Sequence, residues 1–184
     1  MKLLPAGAAD RADIESLLDD AFGADRHTRT AYRLRDGVAP FGGLSMVARD
    51  DSGRLVGSIQ YWPIELWDGV RARPLTLLGP VAVAPDQQGT GVGKRLMTAS
   101  LEIADACDHE AIVLIGDPEY YGRWGFEAGP TADWAVPGPV ERRRLLARIA
   151  PGVTLAPVGE LRRIRSMPAW ARLPLPVRGV PLAA

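Results

Sequence analysis

The sequence has one cysteine, Cys107, among 184 residues. A single thiol cannot form an internal disulfide and cannot supply a cysteine-rich zinc site. We therefore expect Cys107 to pack as a small apolar side chain on a helix face. The two histidines, His27 and His109, are expected to be ordinary polar residues.

The chain also has no excess charge, because 22 lysines and arginines balance 22 aspartates and glutamates. A net charge of zero gives no long-range attraction to nucleic acid or to an anionic membrane. No apolar run approaches the about 20 residues that cross a bilayer. The N-terminus lacks the pattern of a signal peptide, since Pro5 interrupts its short apolar run. We expect a cytoplasmic protein with no membrane or nucleic-acid partner.

Length and composition favour one domain, because 184 residues that are 47% hydrophobic can bury a single large core. The last residues differ from the rest in composition, with prolines at 168, 174, 176 and 181. We predict one domain over 1–167 and a proline-rich tail over 168–184. The tail either packs on the domain or reaches a second subunit, so a homodimer is possible.

Hydrophobic periodicity and turn residues predict the order of the elements. A strand at 2–4 is followed by a helix that Asp10 caps and Gly23 ends, and then by a second helix. Three antiparallel strands lead to a long helix, a parallel strand and a short helix. The predicted ranges are 2–4, 10–22, 28–35, 44–49, 55–62, 75–83, 91–106, 111–115 and 118–124, with strands starting at Phe126 and over 153–158.

A glycine-rich turn joins the third of these antiparallel strands to the long helix. Gly89, Gly91 and Gly93 let backbone N–H groups crowd together where the helix begins. A helix N-terminus carries about half a positive charge and several free N–H donors. The turn is therefore a cradle for an anion, and pyrophosphate suits it best.

Other phosphate-binding loops use the same physics. A Walker loop needs Ser or Thr after Gly-Lys, whereas Arg95 follows Gly93-Lys94 here. A dinucleotide fingerprint has the spacing G-x-G-x-x-G near a domain start, whereas these glycines alternate in mid-chain. Both readings are disfavoured, and so is the alternative of a binder for another phosphate or dinucleotide ligand.

Two motifs carry a family resemblance. Gln88-x-x-Gly91-x-Gly93 after an apolar strand resembles the acetyl-CoA-binding signature of the GNAT acetyltransferase superfamily. Downstream, Tyr121-x-x-x-Gly125-Phe126 resembles the segment that follows the cofactor helix in that superfamily. The form Gly-Asp-Pro-x-Tyr-Tyr at 116–121 is similar to a bacterial branch of small acetyltransferases. Together the motifs cover about residues 75–128.

The resemblance implies an α+β or α/β fold with one GNAT-like domain. Its mixed central sheet has about six to seven strands, with antiparallel N-terminal strands and a parallel pair splayed at the cofactor, flanked by helices. The pantetheine arm of acetyl-CoA would pair with main-chain groups in that gap, and the glycine turn would hold the pyrophosphate. The cofactor-binding residues implied are Val81, Ala82, Val83, Gln88, Gly89, Thr90, Gly91, Val92, Gly93 and Lys94.

The implied reaction is N-acetylation of a primary amine by acetyl-CoA, with coenzyme A as the product. The amine attacks the thioester directly, through a tetrahedral intermediate. Tyr121 occupies the general-acid position, with Tyr120 the alternative by one residue. A backbone N–H of Val81 or Val83 would stabilise the oxyanion.

The general base is less defined by the sequence. A carboxylate or a chain of waters must take the proton of the amine. Glu65, between Trp62 and Trp67, is a tentative base, and Glu119 and Glu127 are weaker candidates. A non-catalytic acyl-CoA-binding sensor is the alternative to an enzyme.

The acceptor amine is unidentified. The resemblance places its site between the first two helices and a loop near 136–140, where aromatic side chains could line it. Four arginines of the second helix region favour a solvated basic face, and the alternative is an entrance for an anionic acceptor or for phosphates. The aromatic candidates are Phe22, Phe41, Trp62, Trp67 and Trp134, and the arginines are Arg26, Arg29, Arg33 and Arg35.

Overall fold

The computed structural model describes residues 1–107 and 109–165. The predicted tail lies outside the described residues, so its boundary stays a prediction. The strands are β1 (Lys2–Pro5), β2 (Met46–Arg49), β3 (Leu55–Trp67), β4 (Ala72–Val83), β5 (Ala111–Ile115), β6 (Asp133–Ala135), β7 (Leu145–Ile149) and β8 (Val158–Arg163). The α-helices are α1 (Arg11–Phe22), α2 (Thr30–Arg35), α3 (Val92–Ala106) and α4 (Pro118–Tyr121).

The described strands form one mixed sheet of eight, in the order β1-β2-β3-β4-β5-β7, with β8 pairing with β3 and β6. Strands β1 to β4 are antiparallel neighbours, and β4 and β5 run parallel. This confirms the predicted mixed sheet. The count exceeds the expected six to seven because β6 and β7 were not predicted, whereas the strand predicted to start at Phe126 does not form.

A β-bulge interrupts the pairing of β3 and β4. Ile59 pairs with Val81 and Tyr61 pairs with Leu78. One residue of β3, Gln60, therefore faces two residues of β4, Gly79 and Pro80. Proline has no N–H to donate to a ladder, so the strand tolerates Pro80 where the pairing is already broken.

Beyond the bulge, β4 and β5 separate. They pair only at Thr76–Ile112 and Leu77–Val113. β5 continues to Ile115 and stays paired with β7 along its whole length. Among the described strands, none pairs with the last six residues of β4 on the edge that faced β5. The sheet is therefore open between these two strands at the C-terminal end of β4.

Helix α3 lies across the sheet with its N-terminus at this opening. A Cβ on Gly57 of β3 would lie 2.7 Å from Val92 Cγ1, so glycine permits the close approach of the first helical turn. Further along the helix, the Ser100 and Tyr61 hydroxyls form a buried hydrogen bond of 2.8 Å. These contacts set the position of the helix N-terminus relative to β4.

Three predicted elements need correction. The last strand is β8 and not 153–158, because Pro157 cannot donate to a ladder and pairing begins after it. No strand starts at Phe126, which is buried in the core beside a single bridge from Glu127 to Ala147. The second helix is also shorter than predicted, since Arg29 is extended between a 3₁₀ turn and α2.

Asp10 does not cap α1 in the predicted way. Its carboxylate accepts a hydrogen bond of 2.8 Å from the Gly7 N–H and bonds Arg49 at 2.6 Å. The Arg49 hydrogen bond and the Gly7 N–H lower the pKa of Asp10. The residue thus joins the start of the helical segment to β2. Gly23 ends α1 as predicted, with φ of 82°.

Candidate functional site

The glycine turn brings a set of backbone donors to the opening in the sheet. Gly89 and Gly91 have φ of 80° and 92°, values that L-residues rarely adopt. The first hydrogen bond of α3 runs from the Arg95 N–H to the Gly91 carbonyl, at 3.0 Å. The N–H groups of Val92, Gly93 and Lys94 precede that bond, so they have no acceptor within the helix. Three donors and a helix dipole therefore converge on one point.

The turn before the helix is fixed by its own hydrogen bonds. The Gln87 N–H donates to the Ala84 carbonyl at 2.8 Å, and the Thr90 hydroxyl donates to the Gln87 carbonyl at 2.7 Å. Gln88, at the motif's first position, and Lys94 are exposed. The cradle thus presents a preformed backbone and a positive side chain to solvent.

The open edge of β4 leads towards this cradle. The Ala84 N–H donates to the Val56 carbonyl of β3 at 2.9 Å. Because main-chain groups alternate in direction along a strand, Ala82 also faces β3, whereas Val81 and Val83 face the gap. The side chain of Ala82 is buried in the core. Val81 and Val83 are therefore the residues whose N–H and C=O groups can meet a bound molecule in the gap.

Two tyrosines of α4 close the gap from the other side. A Cβ on Gly93 would lie 3.4 Å from the Tyr120 hydroxyl, so Tyr120 reaches the cradle. A Cβ on Gly116 would lie 2.3 Å from Cε2 of Tyr121, so the Tyr121 ring covers Gly116. In the parallel register of β4 and β5, Thr76 lies opposite Ile112. Counting four residues further along each strand puts Gly116 at the same height as Pro80. Tyr121 is thus at the level of the bulge, and Tyr120 is closer to the helix N-terminus.

Burial keeps the Tyr121 phenol protonated. Desolvation raises its pKa to about 12, and the nearby Tyr120 and Asp117 also raise it. The ring packs edge-on against Tyr120 and Phe126, with centroids 4.9 and 6.3 Å away. A protonated phenol in a fixed orientation can donate a proton.

Replacing Gly116 tests this positioning. Gly116→Ala would force the Tyr121 ring to move, because its new Cβ would overlap the ring. We expect any reaction that takes its proton from Tyr121 to slow by about 10-fold, since general acids act only from hydrogen-bond distance, while ligand binding at the cradle stays unchanged. Gly122→Ala is the matched control, because a Cβ on this neighbouring helical glycine would contact nothing within 4 Å. Equal turnover in both variants would contradict the positioning role.

Glu65 lies away from these groups. It is buried on β3 opposite Pro74, with a 3.5 Å ion pair to Arg162 and a 3.3 Å bond from the Arg165 N–H. Pro74 precedes Pro80 by six residues, which is about 20 Å along a strand. The structure does not bring Glu65 together with Tyr121. Glu119 and Glu127 are both exposed.

A substitution of Glu65 separates a structural role from a catalytic one. Glu65→Gln leaves the Arg162 charge without its partner, so we expect a loss of about 1–3 kcal/mol in the free energy of unfolding. The pH dependence of turnover is expected to stay the same. Urea unfolding and pH–rate profiles measure the two effects, with Glu160→Gln as an exposed control on β8. Loss of the acidic limb of the profile would instead identify Glu65 as the base.

The structure corrects the solvated basic face expected for the arginines. Arg29 and Arg33 are exposed, but Arg26 and Arg35 are 2% and 7% exposed. Arg26 bonds Glu15 at 2.6 Å and Asp19 at 2.8 Å. Burial opposes the charge of Arg26, but the hydrogen bonds that its guanidinium donates to Tyr32, Glu15 and Asp19 outweigh this effect, so its pKa is raised. Helical spacing could not reveal this, because the 3₁₀ turn changes which residues face inward.

Sequence analysis missed a cluster around the Gly79 carbonyl at the bulge. The Trp62 indole N–H donates to this oxygen at 2.8 Å, and Arg35 Nη1 lies 3.5 Å from it. The Arg35 guanidinium stacks against the Tyr32 and Trp62 rings. Pro80 predicted the bulge, but no local pattern links it to α2.

The loop at 136–140 contacts α2. The Thr30 hydroxyl donates to the Pro139 carbonyl at 2.6 Å, and Arg33 donates to the Pro137 carbonyl at 2.8 Å. Of the aromatic candidates for an acceptor pocket, Trp134 is fully buried and donates to the Ala156 carbonyl. Trp62 lies at the bulge, where its indole N–H bonds the Gly79 carbonyl.

An open parallel pair with a helix N-terminal cradle at its mouth is the arrangement that the resemblance to the GNAT acetyltransferases implies. The model of the acetyltransferase (GNAT) family matches residues 11–126. The uncharacterized N-acetyltransferase YhbS of Escherichia coli is 32% identical over 121 residues, which cover 64% of this chain and 68% of that protein. The chain belongs to the GNAT acetyltransferase family.

Solved structures agree with the fold. The structure of YhbS from Escherichia coli in complex with CoA has a TM-score of 0.70 and 25% identity, covering 89% of each chain. A GNAT family acetyltransferase from Brucella melitensis in complex with acetyl-CoA has a TM-score of 0.65 and 23% identity, covering 89% of this chain and 96% of that one. The second likeness shows the fold alone.

No described helix is long and apolar enough to cross a membrane.

Proposed function

We propose that the protein is an N-acetyltransferase that moves an acetyl group from acetyl-CoA to a primary amine. The observation that carries this proposal is the open edge of β4, where Val81 and Val83 face a gap that ends at the α3 cradle. The amide-rich pantetheine arm and the pyrophosphate of acetyl-CoA match these two features in that order. The CoA and acetyl-CoA complexes of the similar structures support the same cofactor.

The residues of this chain fit that cofactor. The N–H groups of Val92, Gly93 and Lys94 would hold the pyrophosphate, and Gly89 and Gly91 keep the approach free of side chains. Val81 and Val83 would pair with the pantetheine amides as a strand does. Contacts of Gln88 and Thr90 with the cofactor stay predictions. Ala82 is less available to the cofactor, because its main chain pairs with β3 and its side chain is buried in the core. When bound, acetyl-CoA supplies an acetyl group activated as a thioester.

The chemistry requires an oxyanion donor, a proton for the departing thiol and a base. The Val81 N–H, directly after the bulge, faces the gap and can stabilise developing negative charge on a carbonyl oxygen. Tyr121 holds a proton at the level of the bulge. The amine must lose its proton before it attacks. A water molecule that enters the gap from solvent can accept this proton. Glu65 as the base stays a tentative prediction that its distance along the strand does not favour.

The test is calorimetry with acetyl-CoA followed by thiol release against a panel of primary amines. Binding together with amine-dependent release supports the transferase. Binding without release on any amine favours a non-catalytic acyl-CoA sensor, for which the intact tyrosine offers no support. If acetyl-CoA fails to bind while NAD or ATP raises the melting temperature, the cradle belongs to a different phosphate ligand.

A further inference from the structure

Arg35 is an unusual charge in this fold. It is the last residue of α2, and its side chain is 7% exposed. Its guanidinium carbon lies 3.7 Å from the centroid of the Tyr32 ring and 4.6 Å from that of Trp62. Nη1 lies 3.5 Å from the Gly79 carbonyl, at the outer limit of a hydrogen bond. The guanidinium is thus held by two aromatic faces beside the bulge.

No carboxylate of the described residues forms an ion pair with Arg35. Glu15, the carboxylate whose charge acts on Arg35, is bonded to Arg26. Burial lowers the pKa of Arg35, although the charges of Tyr32 and Glu15 and a side-chain hydrogen bond with Tyr32 oppose this effect. Residues 166–184 contain no aspartate or glutamate. Buried charges are normally paired, so an unpaired one at an opening is a place for a bound anion.

A second polar group at the bulge has an unmet hydrogen bond. The side-chain carbonyl oxygen of Gln60 is buried and has no partner within the described residues. Gln60 faces Gly79 and Pro80 across the bulge. Since side chains alternate along β3, Gln60 and Trp62 project to the same face. The carbonyl oxygen of Gln60 and the guanidinium of Arg35 therefore flank the same tryptophan.

The position of this pair separates it from the phosphate cradle. Gly79 lies before Pro80 and Val81, at the end of the gap away from Gln88. Helix α2, which carries Arg35, is bonded to the 136–140 loop through Thr30. The anion that Arg35 would bind is consequently at the reacting end of the gap and not at the pyrophosphate.

We propose that Arg35 binds a carboxylate of the acceptor and that the protein acetylates amines that carry such a group. This inference rests on the proposed function and names its substrate class. Nη1 faces Gly79 and the guanidinium also bonds the Tyr32 side chain. The remaining guanidinium N–H groups would meet a carboxylate, which arginine binds in a planar, bidentate way. This contact would hold the acceptor with its amine towards the bulge, where the buried Gln60 carbonyl oxygen has no hydrogen-bond partner among the described residues.

The test compares amino acids with their own primary amides in the thiol-release assay. Each pair shares the amine and the side chain and differs in the carboxylate. The amide loses its ammonium proton more readily, because no neighbouring carboxylate stabilises that charge. A preference for the acid must therefore come from the protein. We expect kcat/KM to be at least about 10-fold higher for the acid, because one charge-assisted pair of hydrogen bonds contributes enough binding free energy for such a difference.

Variants assign the preference to Arg35. Arg35→Gln is expected to lower kcat/KM for the acid by about 10- to 100-fold, mainly through KM, and to change the amide by less than about 3-fold. Arg35→Lys keeps the charge but not the planar fork, so it should retain part of the preference. Arg29→Gln, an exposed arginine just before α2, is the matched control. Melting temperature and acetyl-CoA affinity report whether each variant is folded.

The outcomes are distinct. Equal rates for acid and amide in the wild type overturn the proposed substrate class and leave the transferase intact. The proposed substrate class is also overturned if Arg35→Gln slows the acid and its amide equally, because a purely structural role of Arg35 would slow both. Acetyl-CoA binding with no turnover on any amine overturns the proposed function, and this inference fails with it. If Arg35→Gln does not fold, the comparison of Arg35→Lys with the wild type decides.

Discussion

Gly91→Val is expected to abolish measurable acetyl-CoA binding in a protein that still folds. A Cβ on Gly91 would meet no protein atom within 4 Å, so a side chain there would project into open space at the proposed cradle. Valine also disfavours φ of 92°, which would turn the donors of α3 away from their common point. Losing two charge-assisted hydrogen bonds of about 1.5–3 kcal/mol each raises Kd by at least about 100-fold. Calorimetry with acetyl-CoA measures the change.

Gly69→Val separates this effect from backbone strain. Gly69 has φ of 96°, its Cβ would also meet nothing within 4 Å, and it lies in the β3–β4 turn at the other end of β4. Both variants should lose about 1–2 kcal/mol of stability, the cost of a left-handed L-residue. Only Gly91→Val should lose affinity. Micromolar acetyl-CoA binding by Gly91→Val would contradict the cradle.

Local sequence predicted the elements that surround the proposed cofactor cradle well. The glycines need positive φ or close approach, and α3 follows from its apolar stripe and begins one residue after Gly91. The strand at 111–115 was predicted with its observed bounds, because its apolar run is ended by Glu110 and Gly116. These features depend on neighbours within a few residues. Sequence carries that information directly.

The acceptor end could not be predicted in the same way. Arg35 meets Trp62 and Gly79, which belong to two strands, and no periodicity of α2 reveals these partners. Glu65 was chosen for its tryptophan neighbours, yet the strand register sets it six residues from the level of Tyr121. Register and the bulge decide which side chains meet across a sheet. Both are properties of the assembled fold.

Tyr121→Phe is expected to lower turnover by about 100-fold, a typical contribution of a positioned general acid. Phenylalanine keeps the ring that packs over Gly116 and against Phe126, so only the proton donor is removed. Acetyl-CoA affinity and the melting temperature should therefore stay near the wild-type values. Single-turnover thiol release measures the chemical step without product release.

The pH dependence gives a second readout. A general acid must be protonated to act, and burial raises the pKa of Tyr121 to about 12. Turnover should consequently rise with pH as the amine loses its proton, with no alkaline decline below about pH 10 from this group. In a wild-type profile that falls between neutral pH and pH 9, the acid would have to be another group.

Tyr120→Phe is the matched control, because the two tyrosines are adjacent and differ in what they reach. The Tyr120 hydroxyl lies beside Gly93 at the cradle, so its removal should raise the KM for acetyl-CoA and spare kcat. Tyr121→Phe should do the reverse. If Tyr120→Phe lowers kcat by about 100-fold and Tyr121→Phe does not, the acid is Tyr120, and the thiol leaves closer to the helix N-terminus than the strand register indicates.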